Sequence, residues 1–185
     1  MWLSKKEGAN QKFLKMDNLL LDKIFTAEGA EPVTLADVKS WLKIDVPDDD
    51  TLLTSLITAS RQLCEGFLNM SLIPRTVTAF LFIGLDEIRL PYGPVNEVTE
   101  VANSNTGEPV EYTLKYEKFK ALDPCTEVRA KYTAGETAAN LEQLYKTAIL
   151  MEVASLYEHR GDETEEGTGL SPAVKKLLKP YRRVT

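Results

Sequence analysis

The chain is 185 residues long, 43% hydrophobic and 27% charged, a length that predicts one compact domain. The proportions exclude a wholly disordered, collagen-like or fibrous chain. A formal net charge of −6 argues against a protein that coats nucleic acid by neutralising phosphates, while leaving room for a local basic patch.

Met1 to Ala30 is a mixed-charge lead segment. In it Leu14, Leu19, Leu20, Leu21, Ile24 and Phe25 are spaced for one or two amphipathic helical turns. Glu28 to Pro32 reads as a joint, so residues 1–32 form an extension ahead of a single domain at 33–185.

The first firm element is a helix near 34–45. The Thr34 hydroxyl caps its orphan amides and Asp37 stands at the third helical position. Leu35, Val38, Trp41 and Leu42 share one face, and the helix stops ahead of Pro47. A second helix, near 48–69, runs for about five turns. Asp48, Asp49 and Asp50 supply a cap and favourable charge at its start. Leu52, Leu53, Leu56, Ile57, Leu63, Cys64, Phe67 and Leu68 repeat at three-and-four spacing, with Thr54, Thr58, Arg61 and Glu65 on the opposite side.

After Pro74 the period changes to that of strands, over about 75–133. Val77 to Ile83 is β-branched and aromatic and reads as a buried strand. Pro91 to Pro94 is a turn. Val95 to Ala102 reads as a strand whose valines at 95, 98 and 101 fail to alternate. Val110 to Tyr116 and Glu127 to Tyr132 alternate as half-exposed antiparallel strands.

A third helix is expected near 139–160. It is apolar on most sides between Leu144 and Tyr157, so it needs partners on most sides. Two arrangements satisfy that need: a central helix inside its own fold, or a helix partly covered by a neighbouring subunit. Gly161 to Gly169 holds Asp162, Glu163, Glu165 and Glu166 and reads as an exposed loop. Ser171-Pro172 opens a last helix, near 171–179, as a cap residue with proline at the first position. A basic end with Lys175, Lys176, Lys179, Arg182 and Arg183 follows. The fold class is therefore α+β, a small helical bundle with an antiparallel β insertion.

Enzyme chemistry is poorly represented. The chain has no GxxxxGK phosphate loop, no GxGxxG after a strand and no GxSxG elbow. Its one histidine, His159, sits near the end of the third helix, where a partly charged imidazole complements the helix dipole. Asp45, Asp48, Asp49 and Asp50 are the one candidate metal site, but they lack the alternation, central glycine and distal glutamate of a calcium loop. No cofactor is expected. No uncharged stretch exceeds ten residues, too short to span a bilayer. Cys64 and Cys125 match no ligand spacing, so reduced thiols in a cytoplasmic setting are expected.

A set of short stretches runs through the chain in fixed order. It begins with Val33-Thr34-Leu35, Trp41 to Asp45, and Asp48-Asp49-Asp50 with Leu52, Leu53, Leu56 and Ile57. It continues with Leu90 to Val95, Tyr132 with Ala134-Gly135, and Ala148-Ile149-Leu150. It ends with Leu156 to Arg160 and Leu177 to Arg182. This arrangement resembles the head–tail connector (adaptor) family of tailed bacteriophages over about Val33 to Arg183. Met1 to Ala30 has no counterpart in it.

The resemblance implies a structural, non-enzymatic virion protein in the head–tail neck, assembled in the host cytoplasm. It implies a homo-oligomeric ring, commonly twelve-fold, stacked on the portal protein, with further neck, stopper or tail proteins on the other side. Double-stranded DNA would pass through without specific binding, and no membrane is involved. The C-terminal tail at about 179–185 would reach into the portal through Lys179, Pro180, Tyr181, Arg182 and Arg183. Tyrosine and arginine suit such a role, being favoured interface anchors. The acidic loop Asp162, Glu163, Glu165 and Glu166 would face the channel, since a wall that binds phosphate tightly stalls transit. The alternatives are another neck or tail-completion protein (a stopper), or a small metal-dependent hydrolase using the Asp45–Asp50 carboxylates.

Overall fold

The computed structural model describes residues 20–26, 28–82, 87–115, 117–122, 127–159 and 169–183. The acidic loop residues Asp162, Glu163, Glu165 and Glu166, together with Cys125, lie outside them. Among the described residues the architecture is α+β, with four α-helices and two antiparallel sheets.

Helix α1 (Leu35–Leu42) starts as its sequence demands. The Thr34 side chain accepts from the Asp37 N–H, and the Asp37 carboxylate accepts from the Thr34 N–H, a reciprocal capping box. Lys43, in the left-handed region at φ 57°, ends it. Helix α2 (Asp50–Leu68) ends likewise on left-handed Asn69. Helix α3 (Gln143–Glu158) begins later than the expected 139, because Asn140 and Leu141 donate back to the Thr137 carbonyl in a separate turn. Helix α4 (Pro172–Leu178) is followed by a 3₁₀ turn, Lys179–Tyr181.

The helices share one core. Val38, Leu53, Ile57, Cys64, Leu68, Ala148, Ile149, Val153, Val174 and Leu178 are all buried in it. Helix α3 packs against α1, α2 and α4, which buries Tyr145, Ala148, Ile149 and Val153 and leaves Leu144, Leu150 and Leu156 half-buried.

Strand β1 (Leu20–Thr26) is the first difference from expectation. Of the segment read as helical turns, Leu14 and Leu19 lie outside the described residues, and the part from Leu20 to Thr26 is extended and pairs antiparallel with β2 (Arg75–Phe82). Seven residues are too few for a stable isolated helix, whereas the edge of β2 offers them a ladder of backbone partners. Phe25 turns inward, its ring 5.0 Å from Tyr92, and Ile24 on the other face is half exposed.

The first sheet runs β1-β2-β7-β4, with β4 at Val95–Asn103 and β7 at Glu127–Ala134. Register shifts between Val95 and Glu97 and between Val98 and Glu100 mark two bulges in β4. Each bulge inserts one extra residue, so residues three apart share a face. Val95, Val98 and Val101 all pack on the sheet core for that reason.

The second sheet, β3-β6-β5, joins β3 (Ile88–Arg89), β6 (Lys118–Ala121) and β5 (Tyr112–Lys115). Strands β3 and β6 were not expected from the sequence, being two and four residues long. Both sheets enclose a second core around Val77, Leu81, Leu90, Phe119, Val128 and Tyr132.

Candidate docking surface

Of the five C-terminal residues singled out in the sequence, the first four lie on the surface of the helical lobe. Lys179, Pro180, Tyr181 and Arg182 are exposed. The Tyr181 ring meets Tyr145 of α3 edge-on at 6.1 Å. The Arg182 guanidinium stands 5.6 Å from the Phe67 ring of α2, within cation–π range.

Arg183 behaves differently. Its N–H donates to the Leu68 carbonyl at 2.9 Å, satisfying one of the last acceptors of α2. Its guanidinium pairs with Glu117 in the turn between β5 and β6. The side chain is 13% exposed and lies against Gly93. A Cβ at position 93 would stand 2.2 Å from a guanidinium nitrogen, so only glycine leaves the arginine its place.

A second charged cluster joins the two cores. Arg61 and Glu65, read from the helical period as part of a polar face, are 1% and 2% exposed, and Arg75 is 3% exposed. This corrects the sequence reading for the later half of that side: Thr54 is exposed and Thr58 half-buried, but Arg61 and Glu65 face protein, not solvent. Arg61 Nη1 donates to Glu65 Oε2 at 2.7 Å and Arg61 Nε to Glu31 Oε2 at 2.8 Å. Arg75 Nη2 donates to Glu65 Oε1 at 2.7 Å, and the Leu72 N–H to the same oxygen at 2.8 Å. Burial pushes the Glu65 carboxyl up from its ordinary range, against the pull of the two guanidiniums beside it. Arg75 also stacks on Phe25, 4.6 Å from the ring centroid.

The i,i+4 spacing of Arg61 and Glu65 was visible in the sequence. Their burial was not, because Glu31 and Arg75 reach them from other elements.

The acidic run is engaged in packing. Asp49 is the N-cap residue of α2 by position but makes no side-chain cap hydrogen bond. Its carboxylate accepts from the Tyr157 hydroxyl of α3 at 2.5 Å, and Asp50 pairs with Lys39 of α1 at 2.6 Å. The expected cap is thus replaced by ties to two other helices, and the favourable charge at the helix start remains. Ser171 likewise makes no side-chain cap. Its N–H donates to the buried Glu152 carboxylate instead. His159 is the C-cap of α3, with ring Nδ1 2.8 Å from the Ser155 carbonyl. Among the described residues, no group of three or more His, Cys, Asp or Glu is placed to hold a metal ion.

Apolar surface is scattered. Trp41 is 48% exposed beside a groove of about 520 Å³ between α1, α3 and α4, lined also by Met151, Ala154, Glu158, His159 and Pro172. Tyr112 and Leu114 are partly exposed on β5, and Tyr181 at the C-terminal turn. No helix among the described residues is long and apolar enough to cross a membrane.

The model of the phage gp6-like head-tail connector proteins matches residues 32–182. The chain belongs to that family.

Solved structures share the fold. One is the neck of an empty gene transfer agent particle computed with C6 symmetry: TM-score 0.66, 21% identity, covering 88% of this chain and 96% of that chain. The virion of the native gene transfer agent particle gives 0.64 and 23%, with the same coverage. The neck of the native particle computed with C12 symmetry gives 0.61 and 24%, again with that coverage. No curated protein matches the chain.

Family membership makes this a structural head–tail connector of a phage-like virion. The family is one of connectors rather than enzymes, and nothing in the comparisons supports the hydrolase alternative. The N-terminal strand β1 lies outside the family match.

Proposed function

We propose that this connector closes into a ring beneath the portal, joins the DNA-filled head to the neck and tail, and lets DNA pass. The observation that carries the reading is the family match across nearly the whole folded chain. The gene transfer agent necks with six- and twelve-fold symmetry supply its geometry by likeness of fold. Subunit contacts of modest area close a ring cooperatively when a template presents them in register.

In this reading residues 1–32 are an extension to the connector domain at 33–185. The C-terminal segment docks on the portal, with Lys179, Pro180, Tyr181 and Arg182 supplying exposed anchors next to buried Leu178. The carboxylates Asp162, Glu163, Glu165 and Glu166 face the passing DNA and keep it from sticking. Downstream neck or tail proteins bind the opposite rim.

The test is negative-stain electron microscopy with mass photometry, on the purified protein and on a mixture with its portal. Closed rings of about a dozen subunits, alone or templated by the portal, are expected. Persistent monomers in the presence of the portal reject the ring. A deletion of Pro180 to Thr185 that still docks normally rejects the C-terminal assignment. A ring structure with the acidic loop on its outer wall rejects the channel assignment.

A further inference from the structure

Arg183 stands at the meeting point of three elements. It holds the end of α2 through its backbone N–H, lies against Gly93 in the turn before β4, and pairs with Glu117 between β5 and β6. Glu117 is in the left-handed region at φ 63°. Glycine or asparagine is the ordinary occupant of such a tight hairpin position, and glutamate there is strained. A glutamate that keeps this conformation while paired to a partly buried arginine points to a use for the pair. We propose that Arg183 is a clasp. In the unattached subunit it locks the Tyr112–Ala121 hairpin onto the end of α2, and extending the C-terminal segment toward a partner unlocks the hairpin.

The coupling follows from chain length. Leu178 is fully buried in the helical core, and Arg183 is pinned to Leu68 and Glu117. Five residues span at most roughly 17 Å when extended, and a segment pinned at both ends cannot reach into another protein. Docking in which the segment extends into the partner therefore has to release Arg183 from Glu117 and Leu68. The hairpin it leaves is held otherwise by the pairing of β6 with the short strand β3 and by buried Phe119 and Ala121, while all four residues of β5 are exposed. Attachment at one end of the subunit then loosens a structure in the sheets at the other side of the joint. By linkage, whatever grips the freed hairpin favours attachment by the same factor.

This inference rests on the proposed C-terminal docking, so its test separates the two. Hydrogen exchange is measured on the free full-length protein and on Glu117→Gln and Arg183→Gln. Amides of residues 112–115 and 117–121 are expected to exchange about tenfold faster in both variants, with α2 and α3 unchanged. Unchanged hairpin exchange overturns the clasp.

Binding to the portal protein of the same virion is then compared between wild type and Glu117→Gln. Glu117 is outside the docking segment, so a released clasp predicts up to about tenfold tighter docking, because the cost of opening has been removed. Equal or weaker docking of Glu117→Gln overturns the coupling. Failure of the docking reading has its own signature: a deletion of Pro180 to Thr185 that binds the portal normally, with the hairpin already loosened. Far-UV circular dichroism and the melting temperature establish that each variant is folded.

Discussion

The helical lobe and the sheet lobe bury comparable sets of apolar side chains but are held by different means. In the helical lobe each helix brings a run of core residues from its own turns, such as Leu53, Ile57, Cys64 and Leu68 of α2, and meets the distant α3 through side chains. In the sheet lobe, Val77 meets Tyr132 and Leu81 meets Val128 across long stretches of chain. The joint between them uses neither device. It is a buried ionic knot of Arg61, Glu65 and Arg75, with Glu31 reaching in, and a second polar tie through Arg183. The comparison teaches that a small protein can fuse two cores through charge. Charge costs more to bury than an apolar seam but fixes one relative orientation of the parts.

The sharpest way to break this comparison is Glu65→Ala. It removes the buried carboxylate between Arg61 and Arg75, leaves them only the more exposed Glu31 and Glu28, and strands the Leu72 N–H; a loss of about 3 kcal/mol in urea unfolding is expected. A loss below about 1 kcal/mol would mean the two cores hold together without the knot. Next comes Leu53→Ala in the helical core, expected to cost about 2–5 kcal/mol. It should lower hydrogen-exchange protection in α2 and α3 before it affects β2 and β7; equal loss across both lobes would show a single cooperative unit.

Tyr132→Phe probes the sheet lobe. Its hydroxyl donates to the Pro91 carbonyl at 2.5 Å, and losing a buried pair of this kind costs about 1–3 kcal/mol. A stability equal to wild type by thermal unfolding would show that Pro91 finds another donor.

The smallest effect is at the start of α1, where Thr34→Ala removes a cap contributing about 1 kcal/mol. Hydrogen bonds from the Thr34 side chain and backbone hold the Asp37 carboxyl below its ordinary value. A carboxylate lowered in the folded state adds stability above its unfolded pKa. That contribution fades as pH falls through the folded value. The wild type should therefore lose stability more steeply than Thr34→Ala on acidification into that range, as read from melting temperatures against pH. Parallel curves would remove Asp37 from the account.

Much of the helical lobe was legible in advance. The capping box at Thr34 and Asp37, the long apolar period of α2 and the proline at the start of α4 are local signals that need no knowledge of distant residues. The sheet lobe was legible in kind and only partly in detail. The irregular valines of β4 posed a question that two bulges answered, and β3 and β6 are too short to carry a period. Of the residues proposed to dock, Lys179 to Arg182 are exposed, while Arg183 is turned inward to a glutamate 66 positions away.

The linear order of residues thus sufficed for the fold class, the helix positions and the family. These depend on patterns that repeat within one or two turns of helix or one strand, where neighbours in sequence are neighbours in space. Tertiary structure decided that β1 is a strand rather than a helix, that Glu65 of α2 faces a buried arginine, and that Arg183 folds back on the joint. Each of these outcomes depends on a partner brought close only by the closing of a long loop. The free energy of that approach belongs to the whole chain, not to either segment.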